Sequence, residues 1–153
     1  MREVYADHAA TTRVVPEALA ALAGLGAVAV RAQRLRAGLL VACPQTRLNG
    51  DDARRVPAIV NLCFSGVDGE ALLHELDREG ISVSTGSACS AARPGPSHVL
   101  TAMGLPPVDA HASVCFSLGE GNDEAEIDWI LEATPAALAR LRAMNDPGVR
   151  RSA

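Results

Sequence analysis

The residues best suited to chemistry lie in a glycine- and serine-rich segment around one cysteine. Residues 86–92 read GSACSAA and place Cys89 among small neighbours. A cysteine reacts as its thiolate, so it needs exposure and surroundings that favour negative charge. Arg93 follows closely, and three residues leave backbone N–H groups open to an anion: Gly86, Ser87 and Ala88. We therefore predict an exposed nucleophilic thiol that attacks sulfur and carries it as a persulfide. The alternative is a tight turn with an incidental cysteine.

A second feature is the complete absence of lysine. All 14 basic residues are arginines, so the chain has no side-chain amine that could hold an aldehyde cofactor as a Schiff base. The remaining cysteines lack the close spacing of zinc ligands, and the four histidines add no such spacing. We expect reduced thiols and no metal site. Cys63 and Cys115 lie within apolar runs, which predicts buried small side chains.

The composition limits the kinds of protein that this chain can be. The 153 residues suit a single domain, and 48% hydrophobic with 21% charged residues is typical of a globular chain. The net charge is −4 and the arginines are scattered, so we expect no nucleic-acid partner. The longest apolar stretch, residues 19–30, contains two glycines and is too short to span a bilayer. Without a recognisable signal sequence, we expect no membrane association and a cytoplasmic protein.

Hydrophobic spacing predicts alternating strands and helices. Strands are predicted at residues 4–6, 58–64, 81–84 and 112–118. A helix from Pro16 to about Leu40 is expected to break near residues 23–27, because two glycines weaken it there. We further expect a helix after Asp68, a short helix at 97–103, and a last helix that Pro135 kinks. The pattern indicates an α/β fold with a small three- or four-stranded sheet packed with helices.

Several helix ends carry recognisable signals. Asp68 is suited to an N-cap, and Gly80 to the position after a helix that needs a positive φ. Gly104 is expected to close the short helix in the same way. Asp123 and Glu126 have the spacing of a capping box at the start of the last helix.

These motifs together resemble a known family. The stretches VYADHAATT at 4–12, STGSACS at 84–90, PSHVL at 96–100 and SVCFSLG at 113–119 are similar to those of pyridoxal-phosphate-dependent cysteine desulfurases, which are class V aminotransferase-like enzymes. The resemblance covers residues 1 to about 22 and about 34 to 144, in the family's order. It implies the small domain of fold-type I pyridoxal-phosphate enzymes.

The resemblance also implies what is missing. The family's large domain, with its Schiff-base lysine and most cofactor contacts, has no counterpart here, and the junction would fall within residues 24–36. We expect one small domain over residues 1–144, in which residues 1–22 pack with 34–144, and a flexible tail at 145–153. No residue of this chain is expected to bind pyridoxal phosphate covalently, so the cofactor would need a partner chain.

One position departs from the family pattern. Cys115 stands where the family has an arginine that binds the substrate α-carboxylate. A neutral thiol cannot make that bidentate, charge-assisted contact, so a substrate-binding role for Cys115 is doubtful. Arg47 or Arg93 would replace the arginine only if the fold brings one of them there.

The resemblance implies a role in sulfur mobilisation, as in iron–sulfur cluster biogenesis. Cys89 would accept and carry a persulfide, without autonomous cofactor chemistry. Two alternatives remain open: a non-catalytic interaction module or deletion remnant, and half of a split desulfurase completed by a cofactor-binding partner. Expected partners are a sulfur-acceptor protein or a full-length desulfurase-like chain. A homo-oligomer formed through exposed apolar surface is a further candidate.

Overall fold

The fold is a three-stranded antiparallel sheet with two long helices on one face. In the computed structural model, residues 16–52, 55–85 and 95–145 are described, with side chains from residue 26 onward. The helices are α1 (Pro16–Ala42), α2 (Gly69–Arg78), α3 (His98–Ala102), α4 (Pro107–His111) and α5 (Glu124–Asn145). The strands are β1 (Thr46–Leu48), β2 (Ile59–Phe64) and β3 (Ser113–Ser117). The predicted α/β class and strand number are confirmed.

The strand register separates the two faces of the sheet. The strands lie in the order β1-β2-β3, with Leu62 opposite Val114 and Asn61 opposite Cys115. Because side chains alternate along a strand, the first pair points to one face and the second to the other. Buried side chains of β2 and β3 line the face under the long helices: Val60, Leu62, Phe64, Val114 and Phe116. The opposite face carries Asn61 and Cys63 of β2 and Ser113 and Cys115 of β3.

Helices α1 and α5 cover the core face side by side. Arg34 of α1 pairs with Glu124 and Asp128 near the start of α5. Arg142, near the end of α5, donates to Pro44 O just after α1, at 2.9 Å. The two helices therefore run in the same direction. Leu35 and Leu39 of α1 are fully buried in the core.

Helix α1 is continuous from Pro16 to Ala42, so the expected break near residues 23–27 is wrong. Its second half buries Ala32, Leu35 and Leu39 at helical spacing. Burial of these side chains stabilises the helix by more than the roughly 1 kcal/mol that each interior glycine costs. Gly38 also permits close packing, because a Cβ there would lie 2.5 Å from Leu131 Cδ2 of α5.

The predicted helix ends are confirmed. Asp68 accepts hydrogen bonds from the backbone N–H groups of Glu70 and Ala71, at 2.9 and 3.0 Å. Gly80 and Gly104 adopt φ values of +77° and +90° after their helices. The capping box is reciprocal: Glu126 N donates to Asp123 Oδ1 at 2.9 Å, and Asp123 N donates to Glu126 Oε2 at 3.2 Å. Helix α5 continues through Pro135 to Asn145.

Other local predictions differ from the structure. Residues 81–84 do not form a strand, since only Ser84 makes a bridge to β3. Ile81 is instead buried in the core, where its N–H donates to Leu76 O. Beyond that point, Ser82 and Ser117 both line a cavity of about 540 Å³. Strand β1 and helix α4 were not predicted. The predicted strand at 4–6 and residues 146–153 of the predicted tail lie outside the described residues. Asn145, the first residue of that tail, is the last residue of α5.

None of the helices in the ranges given above combines the length and the apolar character that crossing a bilayer requires.

Gly69 is a site where any side chain should be costly. It is buried at the first position of α2, and a Cβ there would overlap His111 O and lie 3.0 Å from Ser113 O. Both are backbone atoms that cannot rotate away, so we expect Gly69→Ala to lower the free energy of unfolding by about 2 kcal/mol or more. Urea denaturation followed by circular dichroism measures this. Gly119→Ala is the matched control, because no described atom lies within 4 Å of its added Cβ. Equal stability of the two variants would contradict the packing.

Cys43 makes a pH-dependent contribution to stability. Burial raises the pKa of its thiol from 9.0 to about 11, although Arg142 opposes the shift. The folded state therefore favours the neutral thiol, and this contribution is complete below pH 9 and lost as the pH rises towards 11. We expect the free energy of unfolding to fall by on the order of 2 kcal/mol more in the wild type than in Cys43→Ala across this range. Parallel slopes for the two proteins in pH-dependent denaturation would refute this.

Candidate functional site

The predicted nucleophile and its neighbours lie in a part of the chain that the structure does not describe. Residues 86–94 are outside the described ranges. They include Gly86, Ser87, Ala88, Cys89 and Arg93. The structure does describe both ends of this segment, and the ends show where the chain leaves and rejoins the fold.

The first end is attached to β3 at Cys115. Ser84 N donates to Cys115 O at 3.1 Å, and Cys115 N donates to Ser84 O at 2.6 Å. This reciprocal pair is the narrow hydrogen-bonded pairing of antiparallel strands. The chain therefore leaves the sheet beside Cys115, five residues before Cys89 in the sequence.

The two ends of the segment meet at one small cavity. Thr85 on one side and Gly95, Pro96 and Ser97 on the other line the same space of about 20 Å³. Ser97 is buried, and its carbonyl oxygen accepts from both the N–H and the hydroxyl of Thr101 at 3.0 Å. Helix α3 thus anchors the second end, and residues 86–94 begin and end close together.

Cys115 lies on the face of the sheet opposite the core. It is half-buried, whereas a buried side chain was expected, because only part of this face is covered by other elements. Asn61 stands directly across from it on β2, and Ser117 Oγ lies 3.9 Å from its Sγ. A thiol with these polar neighbours offers a weak hydrogen-bond donor and no positive charge.

A polar network next to Cys115 was not anticipated from the sequence. Asn49 Nδ2 donates to Asn61 Oδ1 at 2.7 Å and to Ser113 Oγ at 2.9 Å. Ser113 Oγ in turn donates to Asp109 O at 2.6 Å. The network joins β2, β3, α4 and the turn after β1. The available signal was Asn61 itself, a polar residue inside an apolar strand, because such a side chain needs partners when partly buried.

Arg47 does not take the place of the family's arginine. It lies opposite Cys63 on β1, and its Nη2 is 2.7 Å from Asp109 Oδ2. The hydrogen bond to Asp109 raises the pKa of the Arg47 guanidinium above its usual value. Arg47 is thus held by α4, while Arg93, the other possible substitute, lies outside the described residues.

The other thiols and the histidines add no reactive centre in the described ranges. Cys63 is fully buried, as expected, and Cys43 is also buried. Among residues 16–52, 55–85 and 95–145, no group of three or more histidine, cysteine, aspartate or glutamate side chains is placed to hold a metal ion.

The residues do not fit a covalently held pyridoxal phosphate. The full sequence contains no lysine, and arginine stays protonated and does not form Schiff bases under ordinary conditions.

Comparison with known proteins identifies the fold's relatives. The family model for aminotransferase class-V matches residues 27–130. Cysteine desulfurase IscS of Clostridium botulinum (strain Hall) is 46% identical over 114 residues, which is 73% of this chain and 29% of that protein. A cysteine desulfurase of Enterobacter agglomerans is 44% identical over 112 residues, 73% of this chain and 28% of the relative. This chain thus spans under a third of the length of these relatives.

Solved structures show the same fold. A NifS-like protein superposes with a TM-score of 0.69 at 24% identity, covering 82% of this chain and 31% of that one. A NifS-like protein from Rickettsia africae gives 0.58 at 24% identity, covering 72% and 29%. The family model spans more than half of the chain. The chain therefore belongs to the aminotransferase class-V family, which depends on pyridoxal phosphate, and the relatives that it matches are cysteine desulfurases.

Proposed function

We propose that this chain acts in sulfur mobilisation, with Cys89 as the acceptor and carrier of sulfane sulfur. The observation that carries the proposal is the attachment of the Cys89 segment to β3 through Ser84 and Cys115. In this arrangement the segment leaves the sheet at the strand position where the resemblance places substrate binding. The relatives that match this region are cysteine desulfurases.

The anchored ends support a carrier role. A carrier must collect sulfur at one place and release it at another, so it needs a tether of fixed origin. Thr85 and Gly95 line the same small cavity, and α3 holds the second end through Ser97. Nine residues between nearby ends give Cys89 a tether of defined length.

The proposed transfer needs no cofactor in this chain. The Cys89 thiolate attacks the outer sulfur of a donor persulfide, R–S–SH. A new S–S bond forms to Cys89 as the donor's S–S bond breaks, and the donor leaves as the thiolate R–S⁻. Cys89 then carries the persulfide to an acceptor thiol by the same exchange. Sulfane sulfur moves without net oxidation or reduction.

A second candidate is half of a desulfurase whose cofactor-bearing part is supplied by another chain. Three exposed apolar side chains that line one cavity beside Asn61 support it: Val56, Ile59 and Met103. Clustered apolar surface of this kind is typical of a face that another protein covers. The third possibility, an interaction module without sulfur chemistry, shares this surface but requires no reactive Cys89.

We expect persulfide labelling to be specific for Cys89. After incubation of the reduced protein with a low-molecular-weight persulfide, peptide mass spectrometry should find one added sulfur atom on the Cys89 peptide. Cys43 and Cys63 serve as internal controls, because both are buried and should stay unmodified. Cys89→Ser should abolish the adduct. Labelling spread equally over all four cysteines, or none on Cys89, would favour the interaction module.

Cofactor chemistry should be absent in the isolated chain. Pure protein mixed with pyridoxal phosphate and L-cysteine should release no alanine above the rate of free cofactor, because no lysine is present to hold it. The measurement is alanine by amino-acid analysis, with a full-length cysteine desulfurase as positive control. Alanine release by the pure chain would contradict the proposal. Release only after a lysine-bearing partner chain is added would select the split enzyme.

A further inference from the structure

The cavity of about 540 Å³ that Ser82 and Ser117 line also has Trp129 in its wall. It lies between β3, the start of α5 and the chain just after α2, and we call it the Trp129 cavity. Its volume falls within the roughly 300–1,000 Å³ of small-ligand sites, which pair an apolar lining with a few polar groups. We infer that it binds an organic cation, in which an ammonium or guanidinium group is attached to an apolar body without a carboxylate.

The apolar part of the wall comes from the edge of the core. Ile81, Phe116 and Ile130 line the cavity and are almost fully buried, so they form its inner end. Trp129 is 43% exposed, which leaves much of its indole surface open beside them. These side chains fit an aromatic or aliphatic body, because burying such a group against them removes apolar surface from water.

A hydrogen bond fixes the orientation of the indole ring. Trp129 Nε1 donates to Glu79 O at 3.0 Å, so this N–H already has a partner. The side chain therefore offers a ligand its carbon and π-electron surface. Tryptophan is the aromatic residue that attracts cations best, because of the negative potential on its π face. An exposed and oriented indole in the cavity wall thus favours a cationic ligand.

Two carboxylates supply the charge of the wall. Asp123 and Glu126 are the charged residues of the described lining, and both are acidic. Their hydrogen bonds go to the backbone of the capping box and, for Glu126, to the side-chain amide of Asn122. The start of α5 carries a partial positive charge of about half a unit, which two full negative charges outweigh. A ligand in the cavity therefore meets net negative charge.

The basic side chains of α1 do not cancel this charge. Arg31 and Arg34 reach the start of α5, but they pair there with Glu124 and Asp128. Neither of these two acids belongs to the described lining of the cavity. The carboxylates of Asp123 and Glu126 thus remain available to a cation from solution.

The end of β3 adds a backbone acceptor. Ser84 and Cys115 form a hydrogen-bonded pair, so the same antiparallel register would make Ser82 and Ser117 the next such pair. Neither backbone hydrogen bond of that next pair forms within the described residues. The C=O of Ser117 therefore keeps its acceptor capacity. An ammonium group has three donors and no acceptor, which matches two carboxylates and a carbonyl.

The same groups exclude other classes of ligand. A carboxylate or phosphate would lie against two acidic side chains without a basic partner in the described lining, so amino acids and phosphate esters do not fit. The inference goes beyond sulfur transfer and does not need Cys89. Binding should therefore persist in Cys89→Ser, so that failure of the sulfur-transfer proposal and failure of this one are distinguishable.

The test uses the tryptophan of the cavity as its reporter. Trp129 is the one tryptophan in the sequence, so its fluorescence and its indole ¹⁵N signal report on this cavity directly. The full chain is titrated with phenethylamine, phenethyl alcohol and hydrocinnamate, which share an aromatic body and differ in charge. We expect a saturable change with the protonated amine, about tenfold weaker binding of the alcohol and still weaker binding of the acid. An affinity for the amine no higher than for either of the others, or no saturable change with it, would overturn the inference.

A double variant removes both charges and keeps the helix cap. Asparagine is also a good N-cap and glutamine also completes a capping box, so the chain with Asp123→Asn and Glu126→Gln should fold. It should bind phenethylamine about tenfold more weakly and phenethyl alcohol as before. Glu132→Gln is the matched control, because Glu132 is an exposed carboxylate of α5 outside the described lining. It should leave both affinities unchanged. A folded double variant that still prefers the amine would refute the role of the two acids.

A second variant keeps the test decisive if the double variant fails to fold. Ala125 is exposed and lines the cavity, and arginine is a good helix former, so Ala125→Arg should be tolerated. The added guanidinium group should compete for the carboxylates of Asp123 and Glu126 and weaken phenethylamine binding about fivefold or more. Unchanged affinity for the amine in this variant would contradict the proposed site.

Discussion

The antiparallel pairing of β2 with β3 is the constraint on which the rest of the structure depends. Its register places Leu62 opposite Val114 in the core and Asn61 opposite Cys115 on the other face. A shift by one residue would turn the apolar side chains to the polar face and bury the asparagine beneath the helices. The core under α1 and α5 and the polar face therefore arise from the same ladder.

The two faces differ in how they are held together. On the core face, burial of aliphatic side chains stabilises the sheet against α1 and α5. On the other face, α4 and the turn after β1 contribute directional contacts, in which Asn49, Ser113 and Asp109 form one hydrogen-bonded chain. Such contacts specify geometry more than they add stability, because each replaces a hydrogen bond to water. A polar face built in this way is suited to hold groups for binding.

Sequence patterns predicted the elements that depend on local signals. Asp68 and Asp123 cap helices through hydrogen bonds to residues only two or three positions away. Gly80 adopts the positive φ that the chain requires just after a helix. The expected break in α1 was wrong because packing outweighs a weak local preference. Residues 81–84 were mistaken for a strand, since alternation alone does not show that Ile81 is drawn into the core. Strand β1 has only three residues, and it forms a strand only because it pairs with β2.

By itself, the sequence determined the chemistry that is present and absent: one cysteine among small residues and no lysine anywhere. Its motifs, in the order in which the family has them, also gave the resemblance to the family that the comparisons confirm. Only the tertiary structure decided that Arg47 is held by Asp109, that Ser84 pairs with Cys115, and that Arg55 and Asn61 line one cavity. The reason is physical, because these contacts join residues distant in sequence, and strand register and helix packing alone bring them together.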